Sequence, residues 1–485
     1  MAQPTTATVD QHWLSARDRS VIAILLVSTF VVILNETALN VALTSIMADL
    51  AVDERDVQWL TTAFLLTMAV VIPITGWLLE RIPTRSAFLL ALILFTTGTL
   101  ICAVAPVFGL VLAGRIVQAS GTAVMLPLLM TTVMQLVPPA HRGAIMGNIS
   151  MVISVAPAIG PTMAGLVLHV TTWRGVFGLM VPIGLIMLAI GAWRMVTVNE
   201  PMRVPLDAWS VPLTVLGFGG LVYGLSLIGD ATVPRVELIA SFVVGALALA
   251  AFLWRQLALA RAGRGPLLDL RVFQQSAFTV SVIVMALAMM ALFGTIIILP
   301  LILQRALHLD PLTVGLMLLP GGLLMGLLGP VTGRLFDRVG PRPLMLPASV
   351  VIAGVFWLLS TIQLSTPWWL VVAAHMAMSA SFAFMFTPLF TIALGSLPKD
   401  LYSHGSAVVG TVQQVAGAFG TAVFVTAMAS QSAAAQASGT PVEAALLIGS
   451  RVAFLGAGAV WTLAIIATLF IRAPELSGDE PTTHH

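Results

Sequence analysis

The sequence predicts an all-α polytopic membrane protein: two pseudo-symmetric six-helix bundles plus two inserted helices, fourteen transmembrane helices in all. Three observations predict it. Charged residues are 9% of the 485 and hydrophobic ones 59%, whereas a soluble globular domain carries about 25% charged residues. Apolar runs of the length a spanning helix needs recur along the chain. One short charged loop is written twice.

The first copy of that loop is Pro73-Ile-Thr-Gly76-Trp-Leu-Leu-Glu80-Arg81-Ile-Pro83-Thr-Arg85. The second is Pro330-Val-Thr-Gly333-Arg-Leu-Phe-Asp337-Arg338-Val-Gly340-Pro-Arg342, at a constant offset of 257 residues. Each copy closes a long apolar run, which marks two copies of one helical bundle. A weaker echo relates Pro127, Pro138, Pro157 and Gly160 to Pro388, Pro398, Gly417 and Gly420, at offsets of 260 or 261.

A polar tail over 1–19 carries Arg17 and Arg19 and has no cleavable-signal pattern. Apolar runs follow near 20–47, 57–79, 86–105, 107–134, 144–168, 175–195, 209–229, 236–256, 276–303, 311–333, 343–362, 367–395, 404–429 and 450–472. With the N-terminus cytoplasmic, sixteen basic residues fall inside and five (Arg55, Arg174, Arg235, Arg305 and Arg451) outside. That bias places both termini and both repeated loops in the cytoplasm. The loops lie between helices two and three and between helices ten and eleven, so helices seven and eight are the insertion. The expected organisation is a cytoplasmic tail (1–19), an N-terminal bundle (20–203), the inserted pair (204–262), a C-terminal bundle (263–474) and a cytoplasmic tail (475–485). The linker Arg261–Gln275 is basic and suits the membrane surface.

Several function classes are excluded. Cys102 is the only cysteine and the eight histidines form no metal motif. Lys399, the only lysine, follows no glycine-rich phosphate loop, so ATP hydrolysis is not expected. No enzyme activity, bound cofactor, metal or nucleic-acid partner is expected.

The twice-written Gly-x-Leu-x-acid-Arg loop resembles the signature of the major facilitator superfamily, and fourteen spans resemble its drug:proton antiporter branch. Leu34-Asn35-Glu36-Thr-Ala-Leu-Asn40-Val-Ala-Leu43 resembles the helix-one motif of that branch, and Arg115-x-x-Gln118 its helix-four motif. Ala156-Pro157-Ala-Ile-Gly160-Pro161 is similar to the helix-five antiporter motif. Leu318-Leu-Pro-Gly-Gly322 and Val412-Gln-Gln-Val-Ala-Gly417 resemble second-half patterns of lincomycin and multidrug exporters. Asn35 stands where many members have Asp, and Pro83 and Ala119 replace glycines.

Glu36 is the sharpest residue. It lies roughly 24 Å along the helix from Ser20 and roughly 17 Å from Met47. An ionised side chain there costs at least ~2.5–3.5 kcal/mol unless it faces a partner or water. Burial disfavours the ionised carboxylate, which suits proton capture and release. The alternative is a neutral Glu that ties helices together. Arg115, roughly 12 Å into helix four, lies at similar depth. It cannot shed its proton, so its expected role is to set the carboxylate's charge state. The alternative is a fixed ion pair, or backbone bonding, that only stabilises the bundle. Gln118, Asn35 and Asn40 are expected in a polar cavity, or in polar packing.

Ala156, Gly160 and Ala164 recur every four residues, a spacing that brings helices close. Pro157 and Pro161 favour a bend. On spacing alone this is helix packing; the resemblance implies a seam between the halves. In the loops, an acid near a helix N-terminus and an Arg would form a breakable latch of Gly76, Glu80, Arg81, Arg85, Gly333, Asp337, Arg338 and Arg342; positive-inside anchoring is the alternative, and it accounts for the arginines but not for an acid in both copies. His375 and His404 are set aside as hydrogen-bonded histidines.

The expected function is a proton-coupled multidrug efflux transporter: a monomer in the cell (inner) membrane, driven by the proton gradient, exporting hydrophobic or cationic drugs by alternating access. The alternatives are an exporter of one native metabolite, lipid or siderophore, an uptake symporter, or a non-transporting receptor.

Overall fold

The computed structural model describes residues 14–202, 205–228 and 233–469, without the side chains of residues 40, 54, 55, 311 and 312. Both tails beyond those limits, Arg203, Asp230, Arg472 and the side chains of Asn40 and Arg55 lie outside the described residues.

Among the described residues, thirteen helices are long and apolar enough to cross a membrane, and a shorter one takes the seventh place. In chain order they are α1 (Ala16–Leu50), α2 (Glu54–Arg81), α3 (Thr84–Val104), α4 (Phe108–Leu136), α5 (Arg142–Val170), α6 (Trp173–Arg194) and α7 (Ser210–Ser226). Then come α8 (Arg235–Arg261), α9 (Ser276–Arg305), α10 (Pro311–Val339), α11 (Arg342–Leu359), α12 (Trp368–Gly395), α13 (Tyr402–Ala437) and α14 (Val442–Leu469). Past its first turn, a helix bonds its backbone amides internally, which lipid requires.

Short polar caps start several helices. Ser15 accepts from the Asp18 amide at 3.0 Å, Asp53 from Asp56 at 2.7 Å and Asp310 from Thr313 at 3.0 Å. At the end of α10, Gly340 takes φ +75, a left-handed conformation open to glycine.

α7 is not a plain helix. A π-helical turn, Val215–Gly219, interrupts it, and its seventeen residues are shorter than a usual span. It forms a hairpin with α8, closely packed where Gly220 meets Gly245. A fork at the other end ties the pair: Arg255 donates to both oxygens of Asp207 at 2.6 Å.

In the first half, α1 packs on α5, α6 and α4, and α3 on α4 and α6. In the second half, α9 packs on α13, α10 on α12, and α14 on α11 and α13. Across the halves the main seams are α5 on α10 and α2 on α13. The α5–α10 seam is closest where Gly143 and Gly147 face Gly333 and Gly329, because a Cβ at any of the four would strike the opposing backbone.

Candidate transport site

The site begins with a polar string buried between α1, α3 and α4. Arg115 is 1% exposed, Gln118 0%, Asn35 1% and Thr99 0%. Arg115 Nη1 donates to Gln118 Oε1 at 2.6 Å. Gln118 Nε2 donates to Asn35 Oδ1 at 2.7 Å and to Thr99 Oγ at 2.6 Å. Arg115 Nε reaches the Leu60 carbonyl at 3.3 Å, and the guanidinium lies 3.9 Å from the centroid of the Phe64 ring. A cation over an aromatic face is stabilised by the ring quadrupole. The motif Arg115-x-x-Gln118 works because residues three apart share a helix face.

Glu36 is the next residue along α1 from Asn35, so its side chain is turned by about 100°. Leu34, Thr37 and Ala38 pack toward α5 and α6, and Leu39 belongs to a cluster with residues of α2, α3, α4 and α6. Glu36 therefore projects from the face of α1 turned away from α6, and it is half-buried. Among the described residues it makes no hydrogen bond and no ion pair within 4.0 Å, but it feels the charge of Arg115. Among the described residues it is also the only acid more than one turn from a helix end. The fixed Glu36–Arg115 ion pair weighed from sequence is absent. Arg115 is held by Gln118, Leu60 and Phe64 instead.

The repeated loops differ from expectation in what their acids touch. Asp337 does not pair with Arg338 or Arg342. It reaches across to the other half and accepts the amides of Gly143 and Ala144, both at 2.9 Å, at the start of α5. Those are free amides of a first helical turn, a ready anion site. Glu80 also crosses, to His404 Nε2 at 3.0 Å on the first turn of α13. Arg142 joins the same end, donating to the Tyr402 hydroxyl at 3.1 Å. Of the loop arginines, Arg85 bonds the Ala192 carbonyl at 2.6 Å, Arg81 lies over Trp77, and Arg342 reaches the Leu469 carbonyl at 3.5 Å, each of these contacts lying within one half. Gly76 leaves room for His404, whose Nδ1 would stand 2.6 Å from a Cβ there.

The helix-five motif also lies elsewhere than the resemblance implies. Ala156 packs with Leu34 and Met180, Gly160 sits against Thr37, and Ala164 packs with Ala38 and Val176. Its small residues join α5 to α1 and α6 inside one half, the helix-packing reading. Pro161 is exposed and Pro157 half-buried. The seam between halves uses another face of α5, with Val155 and Ala158 against Gly326 and Gly322.

Sequence reasoning missed Thr99, Phe64 and the Leu60 carbonyl, which carry no motif of their own. It set His404 aside, although His404 lies 260 residues beyond Ala144, the offset of the second echo.

Two packed half-bundles, closed across one end by charged loops and carrying a lone acid at mid-helix, define a membrane transporter. The chain belongs to the Major Facilitator Superfamily, whose family model matches residues 25–421. It is 38% identical over 457 residues to "Lincomycin resistance protein LmrB" of Listeria monocytogenes, covering 93% of this chain and 96% of that one. The LmrB of Bacillus subtilis is 37% identical, covering 97% and 99%. "Multidrug export protein EmrB" of Haemophilus influenzae is 29% identical, covering 82% and 78%. The human organic anion transporter MFSD10 shares the fold, with TM-score 0.66 at 14% identity, covering 93% of this chain and 99% of that one.

Proposed function

We propose that this chain is a proton-coupled exporter of hydrophobic or cationic drugs, working as a monomer in the cell membrane with both termini cytoplasmic. Its likeness to proteins named for lincomycin resistance and multidrug export supports drug export. The observation that carries the coupling is Glu36: a half-buried acid at mid-helix, with no ion-pair partner, within the field of a buried Arg115. The carboxylate takes a proton from outside as drug leaves and releases it inside as drug binds. Arg115, which sits in the same half, favours the ionised form in both states, and the rocking of the halves changes which side's water reaches the carboxylate. Drug and proton need only compete for one state of the carrier.

The two loop acids act as latches holding the cytoplasmic end shut. Asp337 binds a helix N-terminus, and Glu80 binds His404, both across the halves. Release of both lets the halves rock about the central axis.

The experiment is a proton-gradient assay in vesicles holding the purified protein. Added lincomycin or a cationic dye should collapse an imposed gradient. A gradient left untouched by every drug tried, with drug bound, would overturn the antiporter reading in favour of a receptor.

A further inference from the structure

The inserted pair α7–α8 leaves an open groove against α2 and α4, with a cavity volume of about 740 Å³. That is within the range of small-molecule sites. Its floor is apolar, formed by Val70 and Ile116 with Val215 of the π-helical turn. Such turns recur at functional positions. At one end Trp59 of α2 stacks on Tyr223 of α7, with ring centroids 5.8 Å apart and planes 28° apart. Beside them lies Glu237, whose Oε1 accepts the Tyr223 hydroxyl at 2.6 Å. Among the described residues no cation stands within 4.0 Å of that carboxylate.

We propose that this groove is a binding site for a free lipophilic organic monocation, separate from the Glu36 site. Three features select that chemistry. The carboxylate supplies the countercharge. The aromatic faces attract a cation through their quadrupoles. The apolar floor rejects a strongly hydrated metal ion but accepts the body of a hydrophobic cation. The site gives the inserted helices a role, that of gathering cationic substrate from the lipid beside the first half. That role rests on the export reading above; the binding of the cation does not.

Cys102, the only native thiol, is buried, so an introduced cysteine can report occupancy. Ala240→Cys places one on the exposed groove wall. The full chain is held in nanodiscs of phosphatidylglycerol, which has no cationic headgroup. The rate of labelling by a lipid-soluble maleimide is followed against tetraphenylphosphonium. Tetraphenylphosphonium should protect the thiol, and tetraphenylborate, of the same shape and opposite charge, should not. Glu237→Gln should raise the half-protecting concentration about tenfold, and Trp59→Leu should raise it several-fold. Glu36→Gln should leave it unchanged. Equal protection by both ions at equal bilayer concentration, or protection indifferent to both Glu237→Gln and Trp59→Leu, would show a mere lipid-filled groove and overturn the proposal. If Glu237→Gln exposes Cys102 to the reagent, a sign of misfolding, Trp59→Leu and the borate comparison decide.

Discussion

The Glu80 carboxylate stands 3.0 Å from Nε2 of His404, and the two residues belong to opposite halves of the chain. Asp337 lies 257 residues beyond Glu80, and His404 lies 260 beyond Ala144. Asp337 in turn accepts the Ala144 amide at 2.9 Å. The internal repeat therefore preserves a contact between halves as well as a loop. The chemistry of the two copies has diverged: the Asp meets backbone amides, while the longer Glu meets an imidazole.

Replacing Glu36 by Gln removes the titratable group but keeps the volume. Efflux driven by a proton gradient should fall to the level of empty vesicles, with expression and melting temperature unchanged. Full efflux from a well-expressed Glu36→Gln protein would refute the carrier role.

Asp337→Asn keeps an acceptor for only one of the two amides, because Gly143 donates to Oδ1 and Ala144 to Oδ2, and it also loses the charge that favours a helix N-terminus. The closed form should lose about 1 kcal/mol, or about fivefold in population. Transport should slow while drug affinity changes little. A large affinity loss with turnover intact would count against the latch.

The α5–α10 seam predicts a steric effect. A Cβ at Gly147 meets the Gly329 backbone, whereas one at Gly354 meets nothing within 4 Å. Gly147→Ala should destabilise the closed seam by about 1–3 kcal/mol, as overpacking does. Efflux should drop while Gly354→Ala exports normally. Equal activity of the two variants would mean that the seam opens without needing this approach.

Asp207 gives a pH signature to the inserted pair. The hydrogen bonds from Arg255, with help from the Ser210 hydroxyl, hold its carboxyl below the usual carboxylate range. A folded-state pKa below the unfolded one stabilises the fold above about pH 4 and loses that contribution as pH falls through the folded value. Melting curves in detergent should therefore show Asp207→Asn less stable than the parent at neutral pH. The gap should narrow under acid. A constant gap from neutral to acid pH would remove the carboxylate from the account.

Much was legible in the chain itself. Scarce charge, fourteen apolar runs and the loop written twice specify the helices, the two halves and the insertion, because lipid leaves few choices to a sequence that apolar. Glu36 stood out because an acid inside an apolar run conflicts with its solvent. Tertiary structure alone decided the partners. Packing gave Arg115 to Gln118, Leu60 and Phe64 instead of Glu36, sent both loop acids across to the opposite half, and turned the small residues of α5 toward α1. A local pattern fixes which face of a helix a residue occupies, but its neighbour is chosen by where a distant helix comes to rest.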